Sequence, residues 1–261
     1  IGTRRFGSIN WIGAWTLYKK EVLRFLNVWI QTIFSPLVSA LLFLLVLSLA
    51  IGTGKGNVLG VPFINFLAPG LVAMQVIQQS FSHSASSFMI GKIQGNIVDI
   101  LYAPLSAGEV TFAITLAAVT RSVMIAFISI SIFYLIIDFE VKNYFILILY
   151  TFLSSFILGA LGIVAGLWAE KFDHMATVTN FIIVPLSFLS GTFYTIDKLP
   201  VYLQVISKAN PFFYMIDGFR YSFIEKSDGS LIVGLIYLTT LSFIIFMTAY
   251  ILYKKGYKIK S

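Results

Sequence analysis

This chain contains no cysteine and very little charge, and both absences restrict what it can be. Without cysteine it has no disulfide and no thiolate metal site. Only 11% of its 261 residues are charged and 58% are hydrophobic, whereas soluble domains carry about 25% charged residues. A soluble fold could not cover so much apolar surface with so few polar side chains. The composition therefore indicates a membrane protein.

Charge is nearly missing from six long stretches, and each can supply the roughly 20 apolar residues that a helix needs to cross a bilayer. The stretches are continuous rather than alternating, which favours helices over a membrane β-barrel. We therefore predict an all-α polytopic membrane protein whose residues 1–261 form a single transmembrane domain. Pro36, Pro69 and Pro185 should kink the spans that contain them. The predicted spans are about 28–51, 63–88, 110–137, 144–168, 176–194 and 231–253.

The lysines and arginines outside the spans predict the orientation. Eleven fall on one predicted side and six on the other, and the excess marks the cytoplasmic side. Both termini are then cytoplasmic, which requires an even number of spans. This topology explains the net charge of +7 without nucleic-acid binding. No cleavable signal peptide is expected, because the first apolar span begins near Val28 behind a basic segment.

Segment 10–26 has the pattern of an amphipathic helix that lies in the membrane interface. Lys20 and Arg24 are expected on the face opposite the apolar residues. The alternative is an ordinary basic flank of the first span. The apolar face consists of Trp11, Trp15, Tyr18, Val22 and Phe25.

The cytoplasmic connection 89–109 is too long to be a simple turn. We predict a short helix within 95–104, capped by Asn96 and ended by Pro104. Apolar side chains outside the membrane suggest a docking site for another protein; the alternative is a helix folded back on its own bundle. The candidate contact residues are Asn96, Ile97, Val98, Ile100, Leu101 and Tyr102.

The outer connection 195–230 is aromatic but is interrupted by Pro200 and by Asn210-Pro211. Its pieces, 198–209 and 211–224, are each too short to span a bilayer, so 198–224 is predicted as a re-entrant helical pair. The alternative is one further span at 199–224. That span would contain three charged residues and would place the following tail outside.

No motif for catalysis or metal binding is convincing. The loop GTGKG at 52–56 is not a phosphate-binding loop, because Lys55 is followed by Gly56 rather than Ser or Thr. The two histidines, His83 and His174, lie in different segments, so no metal site is predicted. An intramembrane protease around Ser82-His83-Ser84 is the enzymatic alternative, but neighbouring residues on a helix point in different directions.

The second predicted span carries a polar face, and the third carries Arg121. Polar groups are costly in lipid, so the face should line a substrate path or form hydrogen bonds between helices. Arg121 should reach the cytoplasmic headgroups, contact an anionic substrate or lipid, or pair with a neighbouring span. The candidate pathway residues are Gln75, Gln78, Gln79, Ser82, His83 and Arg121, with Ser86 on the same polar face.

Two segments carry a family resemblance: GNIVDILYAPLSAGEV at 95–110 and SGTFYTIDKLPVYLQVISKANPFFYMIDGFRYSF at 190–223. With the interfacial helix and six spans, they resemble an ABC-2-type permease, the membrane half of bacterial ATP-binding-cassette exporters. The drug and polysaccharide exporter branch is the most similar.

The resemblance implies an inner-membrane exporter subunit without an ATPase site or cofactor of its own, since ATP and magnesium would bind a partner ATPase. Segment 96–102 would be the coupling helix, with helix 10–25 as a second contact, and a second permease copy would complete the pathway near spans 1, 2 and 5. A homodimer is the default, and a heterodimer stays open. The runner-up is a secondary transporter or channel without an ATPase. The re-entrant pair would close the exit with outer-gate residues Tyr194, Pro200, Pro211, Phe212 and Arg220.

Overall fold

The described part of the chain is almost entirely helical. The computed structural model describes residues 9–52, 57–137 and 140–259, so the first eight residues and residues 53–56 of the sequence GTGKG lie outside it. Within those ranges the only β-type pairing is an isolated bridge between Val58 and Val61. The α-helices are α1 (Trp11–Leu26), α2 (Ser35–Gly52), α3 (Phe63–Ile93), α4 (Ile97–Tyr102), α5 (Ala107–Ile136), α6 (Tyr144–Trp168), α7 (Phe172–Val178), α8 (Val184–Leu189), α9 (Val201–Ala209), α10 (Pro211–Ile224) and α11 (Leu231–Lys254).

Five helices in the described ranges are long and apolar enough to cross a membrane. The 31-residue helix α3 is not among them, because its glutamines, serines and histidine lower its mean hydropathy. The structure thus has helices at all six predicted positions. The five are Ile30–Ala50, Ala107–Ile136, Tyr144–Trp168, Phe172–Leu189 and Leu231–Lys254.

Helix α3 is the centre of the bundle and packs against α2, α5, α6 and α10. Its contact with α6 depends on small residues. A Cβ atom at Gly162 would lie 2.5 Å from the carbonyl oxygen of Phe81, and one at Gly166 would lie 2.8 Å from that of Ala85. Glycine at both positions therefore lets the two backbones approach closely, as small residues do between membrane helices.

Two of the three prolines inside predicted spans follow a π-helical turn. The turn Ile30–Phe34 precedes Pro36, and the turn Thr179–Ile183 precedes Pro185. A proline ring clashes with the carbonyl four residues before it, and the wider π turn relieves that crowding. Pro69 lies within α3, which has no such turn.

The fifth predicted span differs from the structure at its end. Helix α8 stops at Leu189 rather than 194, and a turn follows in which Gly191 has a φ of +74°. Glycine adopts this left-handed conformation without the steric cost that a Cβ atom brings. The turn sends the chain back toward α3 and α10.

A second, smaller core lies where α3 ends and α4 begins, and we call this the α4 end of the bundle. It joins α1, α3, α4, α5, α6, α11 and the segment 255–259 that follows α11. The start of α5 is fixed here by a capping box between Ser106 and Glu109, and Glu109 also accepts the amide of Asn10 at 2.7 Å. The helix α1 is therefore tied to the start of α5. The buried members of this core are Leu17, Phe88, Ile97, Val110, Ala113, Ile114, Ile163, Leu167, Ala249, Tyr253 and Ile259.

Candidate functional site

Helix α1 runs alongside the first half of α5 and reaches α3 through Arg24, which is paired with a buried glutamate of the same helix. Tyr18 and Thr120 share a hydrogen bond of 2.8 Å. Further along, the carboxylate of Glu21 accepts Arg24 Nε at 2.9 Å, and Arg24 Nη2 donates to the backbone carbonyl of His83 at 3.2 Å. Glu21 is only 2% exposed. The pair therefore anchors the end of α1 to α3.

Arg24, predicted opposite the apolar face of α1, is half-buried in the structure. Arg24 turns inward because the buried Glu21, three residues earlier, supplies a carboxylate on the side that faces α3. Lys20 is exposed as expected. Trp11 and Trp15 are also exposed, at 71% and 64%. The outward face of α1 thus combines large aromatic rings with lysine, which is typical of a helix at a membrane interface.

His83 is completely buried, and neither ring nitrogen has a hydrogen-bond partner in the described part of the chain. Its Nε2 atom lies 3.7 Å from Glu21 Oε2, and its ring meets the edge of Phe25. No hydrogen bond joins it to Ser82 or Ser84. The geometry thus lacks the contact between base and nucleophile that a serine protease requires.

Arg121 does not reach toward headgroups. It is 7% exposed, and its guanidinium donates to the side-chain oxygen of Gln79 on α3. Of the alternatives open from the sequence, the structure shows the contact with a neighbouring helix, because α5 places Arg121 on the side that packs against α3.

Some residues on the polar face of α3 form hydrogen bonds to other helices, and others face an open groove. Gln75 donates to the carbonyl of Pro36 and accepts Ser129 Oγ at 2.9 Å. Gln78 has no hydrogen bond to any described residue and faces a cavity of about 220 Å³. We call this cavity the polar groove after its polar lining residues, which are Gln31, Ser35, Ser39, Gln75, Gln78 and Gln79. The rest of its lining is apolar and includes Phe188 and Phe193.

Ser82 is exposed on α3, and His83 lies behind the polar groove rather than in it. Three groove residues, Gln31, Ser35 and Ser39, repeat every four positions and are exposed. Exposed amides and hydroxyls on a membrane-crossing helix are costly in contact with lipid. Such side chains are better suited to contact with water, substrate or another protein.

The short helix α4 has one buried and one exposed side. Ile97 is 6% exposed and packs into the α4-end core, whereas Val98, Leu101 and Tyr102 are 44%, 40% and 86% exposed. Ile97 therefore belongs to the inward side, and Ile100 is half-buried beside it. The helix α4 is thus folded onto its own bundle, as one of the two alternatives predicts, and its outward apolar side chains leave docking as a prediction.

The predicted cap at Asn96 is wrong. Its backbone is helical, its side chain makes no capping hydrogen bond, and it donates instead to Gln94 Oε1 at 3.1 Å. An effective N-cap residue needs an extended backbone to aim its side-chain oxygen at the free amides of the first turn.

Arg220, one of the predicted outer-gate residues, is deeply buried. It is 2% exposed, lies 3.9 Å above the ring centre of Phe66 on α3, and donates to the carbonyls of Gly191 and Thr192 at 2.8 and 3.1 Å. It therefore fixes the turn after α8 against α3 and α10. Phe212 is similarly buried, at 4%.

The other predicted gate residues lie nearer the surface. Pro200 is exposed at the start of α9, and Pro211 and Tyr194 are half-buried. Asn210 caps α10 by accepting the amide of Phe212 at 3.1 Å. Helix α9 presents an unpartnered apolar face of Val201, Tyr202, Val205 and Ile206, whereas α10 is packed into the bundle.

Glu21 is the residue that sequence reasoning missed. It stands among basic residues in a segment predicted to be an interfacial helix, where a single carboxylate does not stand out. Its position in the row Leu17, Glu21, Phe25 at four-residue steps was the available signal. Among the described residues, no group of three or more histidines, cysteines, aspartates and glutamates could hold a metal ion.

The fold and this site define a polytopic membrane transport protein without a visible catalytic centre in the residues described. The model of the ABC-2 type transporter family matches residues 13–224, so the chain belongs to that family.

Two relatives show similarity over most of the chain. The chain is 29% identical to the inner membrane transport permease YadH of Escherichia coli K12, over 97% of this chain and 99% of that protein. It is 25% identical to nodulation protein J of Rhizobium leguminosarum bv. viciae, over 84% of each chain.

Proposed function

We propose that this chain is the membrane-spanning permease subunit of an ATP-driven exporter, coupled to a separate ATPase subunit. The observation that carries the proposal is α4, a six-residue helix outside the predicted spans with three exposed apolar side chains. An apolar surface of this kind on a small exposed element is typical of a docking site. ATP and magnesium would bind to the partner subunit.

In this proposal α3 crosses the membrane together with the five more apolar helices, which gives six spans. Its polar side chains are compatible with a membrane because most are hydrogen-bonded to other helices or face the polar groove. Both termini and α4 are cytoplasmic, as the distribution of lysine and arginine predicts. The similarity to YadH supports an inner-membrane location.

The translocation pathway would include the polar groove, and a second copy of the chain would complete it. The groove opens between Ile30–Ala50 and Phe172–Leu189, and only 17% and 11% of the residues in the apolar stretches of these two helices are buried. Spans with so few internal contacts, and with exposed glutamine and serine, need a neighbour other than lipid. A homodimer would bring two such grooves together.

The segment at the opposite end would form the re-entrant pair that closes the exit. The 9-residue α9 and the 14-residue α10 are both too short to cross a bilayer. The exposed apolar face of α9 would lie among outer-leaflet lipid, while Arg220 and Phe212 hold α10 in place. Closure of the ATPase subunits would move α4 and rock the bundle, which opens the groove outward.

The docking proposal is tested with Leu101→Asp and Tyr102→Ala, paired with the conservative control Leu101→Met. The first two variants should fold normally but lose association with an ATPase that stimulates transport in proteoliposomes. Leu101→Met should retain it. Transport without any nucleotide-hydrolysing subunit, driven by an ion gradient, would refute the proposal and favour a secondary transporter or channel.

The pathway proposal is tested separately with Gln78→Leu, because Gln78 makes no internal hydrogen bond that stability depends on. Transport should fall while the thermal stability and the association with the ATPase remain. Unchanged transport for several cargo classes would remove Gln78 from the pathway.

A further inference from the structure

A single lysine at the α4 end of the bundle connects three segments, which are the end of α3, the end of α6 and segment 255–259. Lys92 Nζ, near the end of α3, donates to the carbonyls of Leu167 at 2.7 Å, Ala169 at 2.6 Å and Lys258 at 3.3 Å. The first two carbonyls lie at the end of α6, where backbone oxygens have no partner within the helix. The negative end of the helix dipole also favours a cation there. Lys92 therefore caps α6 from a neighbouring helix.

The segment 255–259 is held at two further points. Lys258 Nζ lies 2.6 Å from Glu170 Oε1, just beyond α6, and Ile259 is 5% exposed within the α4-end core. Lys258 itself has a φ of +48°, which is uncommon for a residue other than glycine. A strained backbone persists only where its surroundings hold it. The fixed position of this segment thus depends on its contacts with Lys92, Glu170 and the core.

Helix α4 lies directly beside the contacts that Lys92 makes with the end of α6 and segment 255–259. Only three residues separate the end of α3 at Ile93 from the start of α4 at Ile97. A Cβ atom at Gly91 would lie 3.6 Å from Ile97, so Ile97 rests against α3 next to Lys92. Ile97 and Ile259 belong to the same buried cluster. A force applied to α4 is therefore applied where α3, α6 and segment 255–259 meet.

We infer that Lys92 is a positioning residue for energy coupling, which makes the ends of α3 and α6 and segment 255–259 move with α4 as one body. The inference rests on the proposed function, because it assumes that α4 receives the motion of an ATPase. An ammonium group suits the role because one nitrogen carries three donors, one for each carbonyl.

Removal of the ammonium should loosen this link without unfolding the protein. Lys92 is half-buried, so water can replace it at the three carbonyls. In Lys92→Met, transport per ATP hydrolysed should fall by about two- to thirtyfold, the range seen for residues along coupling routes. Basal ATP hydrolysis should remain. Lys92→Arg keeps several donors and should restore most of the coupling.

A distance measurement tests the link independently of transport. Because the chain has no cysteine, cysteines introduced at the exposed positions Tyr102 and Lys255 can carry spin labels specifically. Electron paramagnetic resonance on the purified permease should give a narrow distance distribution that broadens in Lys92→Met and narrows again in Lys92→Arg. In the transport experiment, Lys255→Cys is also the matched control for Lys92→Met. Lys255 is a nearby exposed lysine, and its replacement should not change the transport per ATP hydrolysed.

The outcomes separate this inference from the proposed function. If an ATPase associates but Lys92→Met changes neither the coupling ratio nor the distance distribution, the inference is wrong and the permease function stands. If no ATPase associates, the proposed function fails. The link made by Lys92 is then judged by the distance distribution alone, and a distribution that does not broaden in Lys92→Met would overturn it as well. Should Lys92→Met fail to fold, Lys258→Met removes the exposed ion pair and should broaden the same distribution to a smaller extent; no broadening would overturn the inference.

Discussion

The ion pair between Glu21 and Arg24 of α1, which aims Arg24 at α3, gives the sharpest test of the structure. Glu21→Ala removes the carboxylate that holds Arg24, and leaves the guanidinium beside His83 with two weaker contacts. Loss of one partner from a buried ion pair typically costs about 3–5 kcal/mol. The Arg24 side chain is 27% exposed, so solvent screening reduces the expected cost to about 2–3 kcal/mol.

The expected loss is large enough to measure by thermal unfolding in detergent. For a chain of this length, 1 kcal/mol corresponds to a shift of about 2–4 °C in the unfolding midpoint. Glu21→Ala should therefore lower the midpoint by about 4–12 °C. Glu21→Gln keeps an oxygen that can accept Arg24 Nε, and should lower it by less.

Lys20→Ala is the matched control, because Lys20 is an exposed charged residue of the same helix. Its effect should stay within about 0.5 kcal/mol, as for most surface substitutions. If the midpoint of Glu21→Ala lies no lower than that of Lys20→Ala, then the pair does not anchor α1 and the reasoning from burial is refuted.

Two further predictions concern packing and pH. Gly162→Val forces side-chain atoms against the backbone carbonyl of Phe81, which cannot rotate away, and should lower the free energy of unfolding by at least about 1–3 kcal/mol. The control is Gly108→Ala, which should be neutral or stabilising because its Cβ would lie 3.8 Å from the ring of Tyr250, an ordinary contact. Equal effects of the two substitutions would contradict the close approach of α3 and α6. The hydrogen bond from Lys258 and its positive charge lower the pKa of Glu170. The ion pair therefore stabilises the fold at pH values above the ordinary glutamate pKa, and this stabilisation disappears as the pH falls through the lowered pKa of Glu170. A spin label at Lys255→Cys should then become more mobile in acid, and this response should be absent in Glu170→Gln; a response that persists in Glu170→Gln would assign it to another group.

The hydropathy pattern predicted where the helices lie along the chain. It predicted less well where they end and which side of each helix packs against its neighbours. The charge-free stretches predicted helices at six positions, because a lipid-facing helix tolerates almost no charge. The end of the fifth was misplaced because composition does not reveal that Gly191 turns the chain. The roles of Arg24 and Arg121 depended on which side of a helix packs against α3. A single sequence does not specify that choice when both sides are compatible with a membrane.

The sequence by itself determined the class of protein, since the scarcity of charge requires a membrane environment and two motif regions carry the resemblance to ABC-2 permeases. Only the tertiary structure decided which polar groups meet. Glu21 pairs with Arg24 against α3, Lys92 collects carbonyls from α6 and segment 255–259, and Arg220 holds the turn after α8. The contacts of Arg24 with α3, of Lys92 with segment 255–259 and of Arg220 with the turn join residues from about 30 to more than 160 positions apart, so they depend on helix packing and not on local pattern.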